Sequence, residues 1–294
     1  MPFLSLPHPL DLSATLLGGQ SFCWKLLSPG VFQGWIQSLP VRLEYKAGNL
    51  SWDNPALSCD QIRQYLSLDL DLPSIFQTFP PLDLHLKAAW QSHSGLRPVR
   101  EDPWECLSNF ICSSLKQILQ IQQINDRLRT QLGGTNRVFP SPGVICKAGE
   151  TALRSCSMGY RARHLAATAK ILAENPALLD IPHSLSTPEA AARLETLPGV
   201  GPKISRCVLL YAYSRWDAFP IDVWVNRLVW ELYFPGKRKP PRLSELELWS
   251  AKHFGSHRGL AQLFLFHWYR TGPGARPNSS PKNPLVKRGS RHRS

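Results

Sequence analysis

Leu197-Pro198-Gly199-Val200-Gly201-Pro202-Lys203 is the stretch that decides how the rest of this 294-residue chain is read. Two glycines spaced by one residue permit positive φ and leave bare backbone N–H groups facing outward. Leu197 and Val200 turn apolar side chains inward. Upstream, Pro188 to Glu195 reads as a helix, with Thr187 as N-cap and Pro188 at the first helical position. Downstream, Pro202-Lys203 opens a second helix, Ile204 to Tyr213. A helix N-terminus carries unpaired N–H groups and a partial positive charge, so it holds a phosphate well. The reading is helix, hairpin, helix over about 188–213, with a lysine at the mouth. An ordinary tight turn between two core helices fits the same residues.

Further on comes Pro220-Ile221-Asp222, then Val223-Trp224-Val225-Asn226-Arg227, which reads as helical. Asp222 is thus a ready N-cap. A carboxylate that accepts N–H groups stays ionised, and an ionised carboxylate can stabilise developing positive charge, so the two uses are compatible. Lys203 is either a phosphate-binding lysine or a nucleophile that attacks a sugar carbon.

Other segments turn these fragments into a pattern. Gly18-Gly19-Gln20-Ser21-Phe22-Cys23-Trp24, Asn109-Phe110-Ile111-Cys112-Ser113-Ser114, Gly159-Tyr160-Arg161-Ala162-Arg163 and Ala261-Gln262-Leu263-Phe264-Leu265-Phe266 flank the hairpin and Asp222 in order. From about Asp11 to about Arg270 the chain resembles the 8-oxoguanine DNA glycosylase/AP lyases of the helix-hairpin-helix DNA glycosylase superfamily. Each match is short, but six in the right order are specific.

The resemblance implies roles position by position. Lys203 would form a Schiff base with C1′ of the damaged nucleotide, and Asp222 would stabilise the oxocarbenium-like sugar. The carbonyl of Gly19 would accept the N7 hydrogen of 8-oxoguanine, which guanine lacks. Gln262 would bond the Watson–Crick edge of the flipped base. Phe266 and Cys207 would sandwich its ring, although periodicity alone would make both core residues. Tyr160 would act as a wedge and Arg161 would contact the base left opposite. Gly199 and Gly201 would bring the hairpin backbone against DNA. The implied reaction is excision of oxidised purine from duplex DNA, with strand cleavage 3′ to the site by β-elimination. A monofunctional alkylbase glycosylase of the same superfamily uses water and needs no Lys203. A noncatalytic DNA-binding module would use the hairpin for grip alone.

The chain departs from the family pattern at two places. Animal and fungal members follow Ile-Cys-Ser-Ser with asparagines and then an arginine. Here the run is Leu115-Lys116-Gln117, and Gln120 stands near the arginine's place. A glutamine can bond a base edge without a guanidinium's fixed fork, which puts strict preference for opposite cytosine in question. Trp224 replaces a phosphate-binding histidine two residues after the aspartate.

Composition agrees with a polyanionic partner. The net charge is +13 and the pI is near 9.7, so association should be salt-sensitive. Six of the excess positive charges lie in a Pro/Gly/Ser-rich tail over 271–294, which reads as disordered and serves either as a solvated terminus or as added DNA affinity. None of the seven cysteines follows Asp222. The iron–sulfur cluster of related glycosylases, held by four cysteines past the aspartate, is therefore not expected. Scattered cysteines fit reduced thiols. The histidines show no metal-ligand spacing, so no cofactor is expected beyond a monovalent cation at the hairpin. The N-terminus reads poorly as a signal peptide and no run reaches transmembrane length. The expected setting is an intracellular monomer on duplex DNA containing 8-oxoguanine, at the nucleoid in a bacterium or in the nucleus of a eukaryote.

The expected fold class is α+β. Residues 1–85 read as an antiparallel sheet subdomain, with short alternating runs such as Val31–Ile36 and Val41–Tyr45 and a turn at Ala47-Gly48-Asn49. Residues 86–270 read as an all-helical core carrying the hairpin. Helix spacing covers Leu84–Ser92, Pro103–Ile118, Gln122–Leu132, Ala148–Ser155 and Tyr160–Glu174, with a break at Pro140-Ser141-Pro142-Gly143.

Overall fold

The computed structural model describes residues 2–272. Five short strands come first: β1 (Phe3–Ser5), then β2 (Lys25–Ser28), β3 (Val31–Ile36), β4 (Leu39–Lys46) and β5 (Asn49–Trp52). They form one antiparallel sheet in the order β1-β5-β4-β3-β2. Two-residue turns join the central pairs. Ala47 (φ 50°) and Gly48 (φ 80°) link β4 to β5, and Gln37 (φ 49°) and Ser38 (φ 67°) link β3 to β4. Positive φ at both central positions matches the right-handed twist of the strands. Alternation along β3 buries Phe32, Gly34 and Ile36. Gly34 lies under the Trp24 ring, where a Cβ would come within 2.4 Å of the indole.

The region read as sheet also holds a helix, α1 (Leu12–Leu17), nucleated because the Asp11 carboxylate accepts from the Ala14 N–H at 2.8 Å. Next come α2 (Cys59–Tyr65), α3 (Leu72–Gln77) and α4 (Leu84–Ser92). The sheet, α1 and α2 close on Leu16, Trp24, Leu43, Leu50, Trp52 and Ile62, a core of their own.

The helical part comprises α5 (Pro103–Cys112), α6 (Ile118–Leu132), α7 (Pro142–Ser155), α8 (Arg161–Glu174), α9 (Thr187–Glu195), α10 (Pro202–Ala212), α11 (Val223–Tyr233), α12 (Leu243–Phe254) and α13 (Arg258–Thr271). Several boundaries differ from the sequence reading, each for a local reason. The helix from Pro103 stops at Cys112 rather than Ile118, because Leu115 takes a left-handed φ of 54°. The next helix starts at Ile118, not Gln122. There Gln117 and Gln120 exchange backbone and side-chain bonds in a capping box. Pro140-Ser141-Pro142-Gly143 starts a helix instead of only breaking one: Ser141 caps α7, Pro142 fits its first turn, and the interruption falls at Gly149 (φ 72°). The N-cap of α9 is Ser186, in a capping box with Glu189, rather than Thr187. At the C-terminal end α13 runs to Thr271; the rest of the basic segment assigned to 271–294, from residue 273, lies outside the described residues.

The two cores are stitched by polar contacts. Arg129 of α6, 1% exposed, pairs with Glu105 of α5 at 2.5 Å and lies 4.3 Å from the Trp35 ring of β3. Lys25 of β2 reaches Asp126 of α6 at 2.7 Å. No helix among the described residues is long and apolar enough to cross a membrane.

Candidate active site

The hairpin occupies residues 196–201 between α9 and α10. The Val200 N–H donates to the Leu197 carbonyl at 3.1 Å, closing the turn. Gly199 takes φ +80°, and a Cβ there would meet His164 of α8 at 2.7 Å. Thr168, one turn on in α8, donates its hydroxyl to the Pro198 carbonyl at 2.9 Å. Helix α8 therefore backs the hairpin and fixes its tip. Gly201 is the N-cap of α10, with open space where a Cβ would stand. The Ile204 and Ser205 N–H groups donate to the Gly201 carbonyl at 2.9 and 3.0 Å, and Pro202 has no N–H, so Lys203 carries the first backbone donor of α10 left over for an anion.

Lys203 is the second residue of α10. Its Nζ donates to Ser113 Oγ at 3.0 Å and stands 4.8 Å from the centre of the Phe110 ring. One turn along, Cys207 is buried, and burial pushes its thiol up to about 11. The Lys203 ammonium, hydrogen-bonded to that sulfur, opposes the rise, and the Asp222 carboxylate adds to it. The three side chains thus share one electrostatic neighbourhood. Asp222 caps α11, its Oδ1 accepting from the Val225 N–H at 2.8 Å. A cap formed by a short side chain at the N-terminus fixes the direction of the carboxylate.

The loop Gly18–Trp24 closes on this group from the sheet side. Gln20, 1% exposed, donates to the carbonyls of Thr15 and Arg97 and accepts from the Val99 N–H at 3.1 Å. Phe22 meets Phe110 edge to face at 5.5 Å, so the loop and Lys203 rest on the same ring. Gly19 takes φ +98°, with Ile118 of α6 2.7 Å from where a Cβ would stand. Gly18 abuts Ala14 and His267 of α13. Gln262, on the same helix, is 5% exposed, and its side-chain carbonyl has no hydrogen-bond partner. Such an orphan inside a protein costs free energy until something donates to it. Phe266 comes one turn later, half-buried.

The structure joins the remaining candidates unevenly. Tyr160 is 46% exposed. Arg161 is 6% exposed and stacks 4.4 Å from the Tyr160 ring. Its guanidinium donates to the carbonyls of Met158 and Ser114. Arg161 and Lys203 therefore bond adjacent residues of the Ser113-Ser114 loop. Gln120 is exposed, but its carbonyl accepts from the Gln117 N–H at 3.0 Å, so the side chain turns back onto its own helix. Trp224 is half-buried in the first turn of α11. Sequence reasoning missed Ser113 and Phe110 as the partners of Lys203, and Gln20 as the anchor of the loop. All three lie inside segments already singled out, but no one-dimensional pattern tells which member of a motif faces which helix. Among the described residues no group of three or more His, Cys, Asp or Glu side chains could hold a metal ion.

Comparisons with known proteins meet this geometry. The N-terminal domain family of 8-oxoguanine DNA glycosylases matches residues 4–107, and the helix-hairpin-helix superfamily of base excision DNA repair proteins matches 109–253. A probable N-glycosylase/DNA lyase of Methanothermobacter thermautotrophicus is 31% identical over 241 residues, covering 72% of this chain and 75% of that protein. The N-glycosylase/DNA lyase OGG1 of Arabidopsis thaliana is 29% identical over 90% of this chain and 78% of its own. Among solved structures, the 8-oxoguanine glycosylase/lyase of Clostridium acetobutylicum, bound to duplex DNA with cytosine opposite 8-oxoguanine, superposes with a TM-score of 0.80. It is 25% identical over 89% of this chain and 92% of that one. Fold and hairpin together define a helix-hairpin-helix base-excision protein. Within that class, the chain belongs to the 8-oxoguanine DNA glycosylase/AP lyase family.

Proposed function

We propose that the chain excises 8-oxoguanine from duplex DNA as a bifunctional glycosylase/AP lyase. The observation that carries the reading is Lys203 at the N-terminus of α10, immediately after an open hairpin, sharing one neighbourhood with Cys207 and Asp222. A stacked base hides its glycosidic bond, so the nucleotide must leave the helix, at a cost of a few kcal/mol. Tyr160 fills the gap. The flipped base enters between Cys207 and Phe266, and the orphan carbonyl of Gln262 accepts from its Watson–Crick edge. The Gly19 carbonyl accepts the N7 hydrogen; guanine presents a lone pair there and is repelled. The Lys203 amine bonds to C1′, the bond from C1′ to the base breaks, and the base leaves with the electron pair and takes a proton. Asp222 balances the positive charge that passes through the sugar. The attached nitrogen loses a proton, the C1′–O4′ bond breaks as O4′ takes up a proton, and the nitrogen lone pair closes a C1′ iminium; this acidifies C2′, and loss of a C2′ proton expels the 3′ phosphate oxygen and cuts the strand.

The same reading assigns backbone contacts to Gly199, Gly201 and Trp224, and contact with the opposite strand to Arg161 and Gln120. Hairpin carbonyls with a lone pair to spare fit a monovalent cation, which would bring a phosphate nearer to α10. We place subdomain boundaries at 85/86 and 270/271, so that the sheet part supplies Gly19 and the helical part the rest. The setting is an intracellular monomer acting on DNA.

Borohydride trapping on a duplex with one 8-oxoguanine tests the reading. Wild type should give a covalent adduct; Lys203→Gln should bind the duplex and give none. Cleavage by Lys203→Gln at the wild-type rate would refute the assignment.

A further inference from the structure

Gln262, Phe266 and Arg270 are spaced four residues apart on α13 and share one helix face. The stripe runs from interior to surface: Gln262 is buried, Phe266 and Arg270 are half-buried, and Thr271 is exposed. The Arg270 guanidinium lies 5.5 Å from the centre of the Phe266 ring. Among the described residues no carboxylate or carbonyl takes its N–H groups. Other arginines withdrawn from solvent are engaged, among them Arg97 by the carbonyls of Ser67 and Leu70, Arg129 by Glu105, Arg161 by Ser114, Arg206 by Glu195 and Glu247, and Arg258 by Glu247. Burial pulls the Arg270 pKa down and no neighbouring acid restores it.

A guanidinium with its donors unspent, at a partly dry site, is matched to an oxyanion. The position of Arg270 selects which one. Gln262 and Phe266, deeper on the stripe, are committed to the base. The group one turn nearer the surface therefore meets the part of the nucleotide that stays at the pocket mouth, its sugar–phosphate backbone. At the other candidate backbone contact, two residues past Asp222, this chain has Trp224, whose indole offers a single donor and no charge. We propose that Arg270 binds a phosphate flanking the flipped nucleotide and supplies the cationic grip that Trp224 cannot. The proposal rests on the glycosylase reading above.

Neutral-linkage DNA tests it. The full chain is titrated onto duplexes carrying a tetrahydrofuran abasic analogue, which cannot form a Schiff base. The linkage on its 5′ or 3′ side is an ordinary phosphate or a methylphosphonate. Wild type should lose about tenfold in affinity at one of the two neutral linkages, and Arg270→Leu about tenfold on ordinary DNA with no further loss at that linkage. The slope of log affinity against log salt should fall by about 1 in Arg270→Leu, and Arg270→Lys should keep most of the binding. If Arg270→Leu does not fold, Arg270→Gln carries the same comparison. An Arg270 variant that stays as sensitive to both neutral linkages as wild type would overturn the proposal, as would a wild type insensitive to both. Borohydride trapping of wild type on 8-oxoguanine is run alongside. No adduct strikes the glycosylase reading; an adduct with undiminished linkage sensitivity strikes only Arg270.

Discussion

At the scale of single residues, Gly19 takes a positive φ and Gln262 holds a buried side-chain carbonyl without a partner among the described residues, and the proposed reading sets both against the base. A Cβ at Gly19 would have to coexist with φ +98° and with Ile118 at 2.7 Å, which strains the turn that aims the carbonyl. Gly19→Ala is therefore expected to slow 8-oxoguanine excision at least about tenfold while leaving cleavage of a preformed abasic site nearly unchanged, because that site has no base to read. Single-turnover rates on the two duplexes check this. The opposite strand gives a second expectation. Arg161 is committed to the Ser114 carbonyl and Gln120 to its own helix start. Excision opposite cytosine should then exceed excision opposite adenine by less than the roughly 10–100-fold that a free bidentate reader would give. Lys203, Cys207 and Asp222 were singled out from motifs that carry chemistry, and the structure brings the three into one neighbourhood. Ser113 was not legible as the partner of Lys203, 90 positions away, because such a pairing exists only once α5 lies against α10.

At the scale of elements, local chemistry set the boundaries more sharply than hydrophobic spacing. Apolar periodicity runs on from Pro103 to Ile118, yet Leu115 in the left-handed region and the Gln117–Gln120 box divide it into two helices. The loop so created carries the Ser113 hydroxyl that meets Lys203 and the Ser114 carbonyl that holds Arg161. The Gly18–Trp24 loop depends on Gln20 in the same way. Gln20→Ala would leave two carbonyls and one N–H buried without partners, a loss of about 3 kcal/mol. A fall in the urea midpoint at unchanged m-value, together with weaker 8-oxoguanine excision, is the expected signature. The alternation of β3 and the turn at Ala47-Gly48 between β4 and β5 were readable from sequence. Helix α1 was not, because six residues are too few for a helical period to stand out from short alternating runs.

At the scale of the whole molecule, two hydrophobic cores meet across a buried ionic seam. Removing one partner of the Glu105–Arg129 pair leaves a charge stranded, so Arg129→Met should cost about 3–5 kcal/mol. Thermal unfolding of the variant measures it. Nearby, burial and the Glu105 carboxylate hold Glu101 well above its ordinary 4.5, up to about 8. A carboxyl with a raised folded-state pKa adds stability that is full below pH 4.5 and is lost as pH climbs through the folded value. Wild type should therefore lose stability relative to Glu101→Gln between about pH 4.5 and 8, as read from denaturant midpoints across that range. Gly19, in the loop between α1 and β2, and Lys203, on α10, thus come to the site from the two sides of this seam. Cys207, one turn past Lys203 on α10, carries a consequence of another kind. A thiol pushed up to about 11 leaves about one molecule in ten thousand as thiolate at pH 7, and peroxide attacks the thiolate. In the proposed reading, the cysteine set against an oxidised base is thereby slow to oxidise itself.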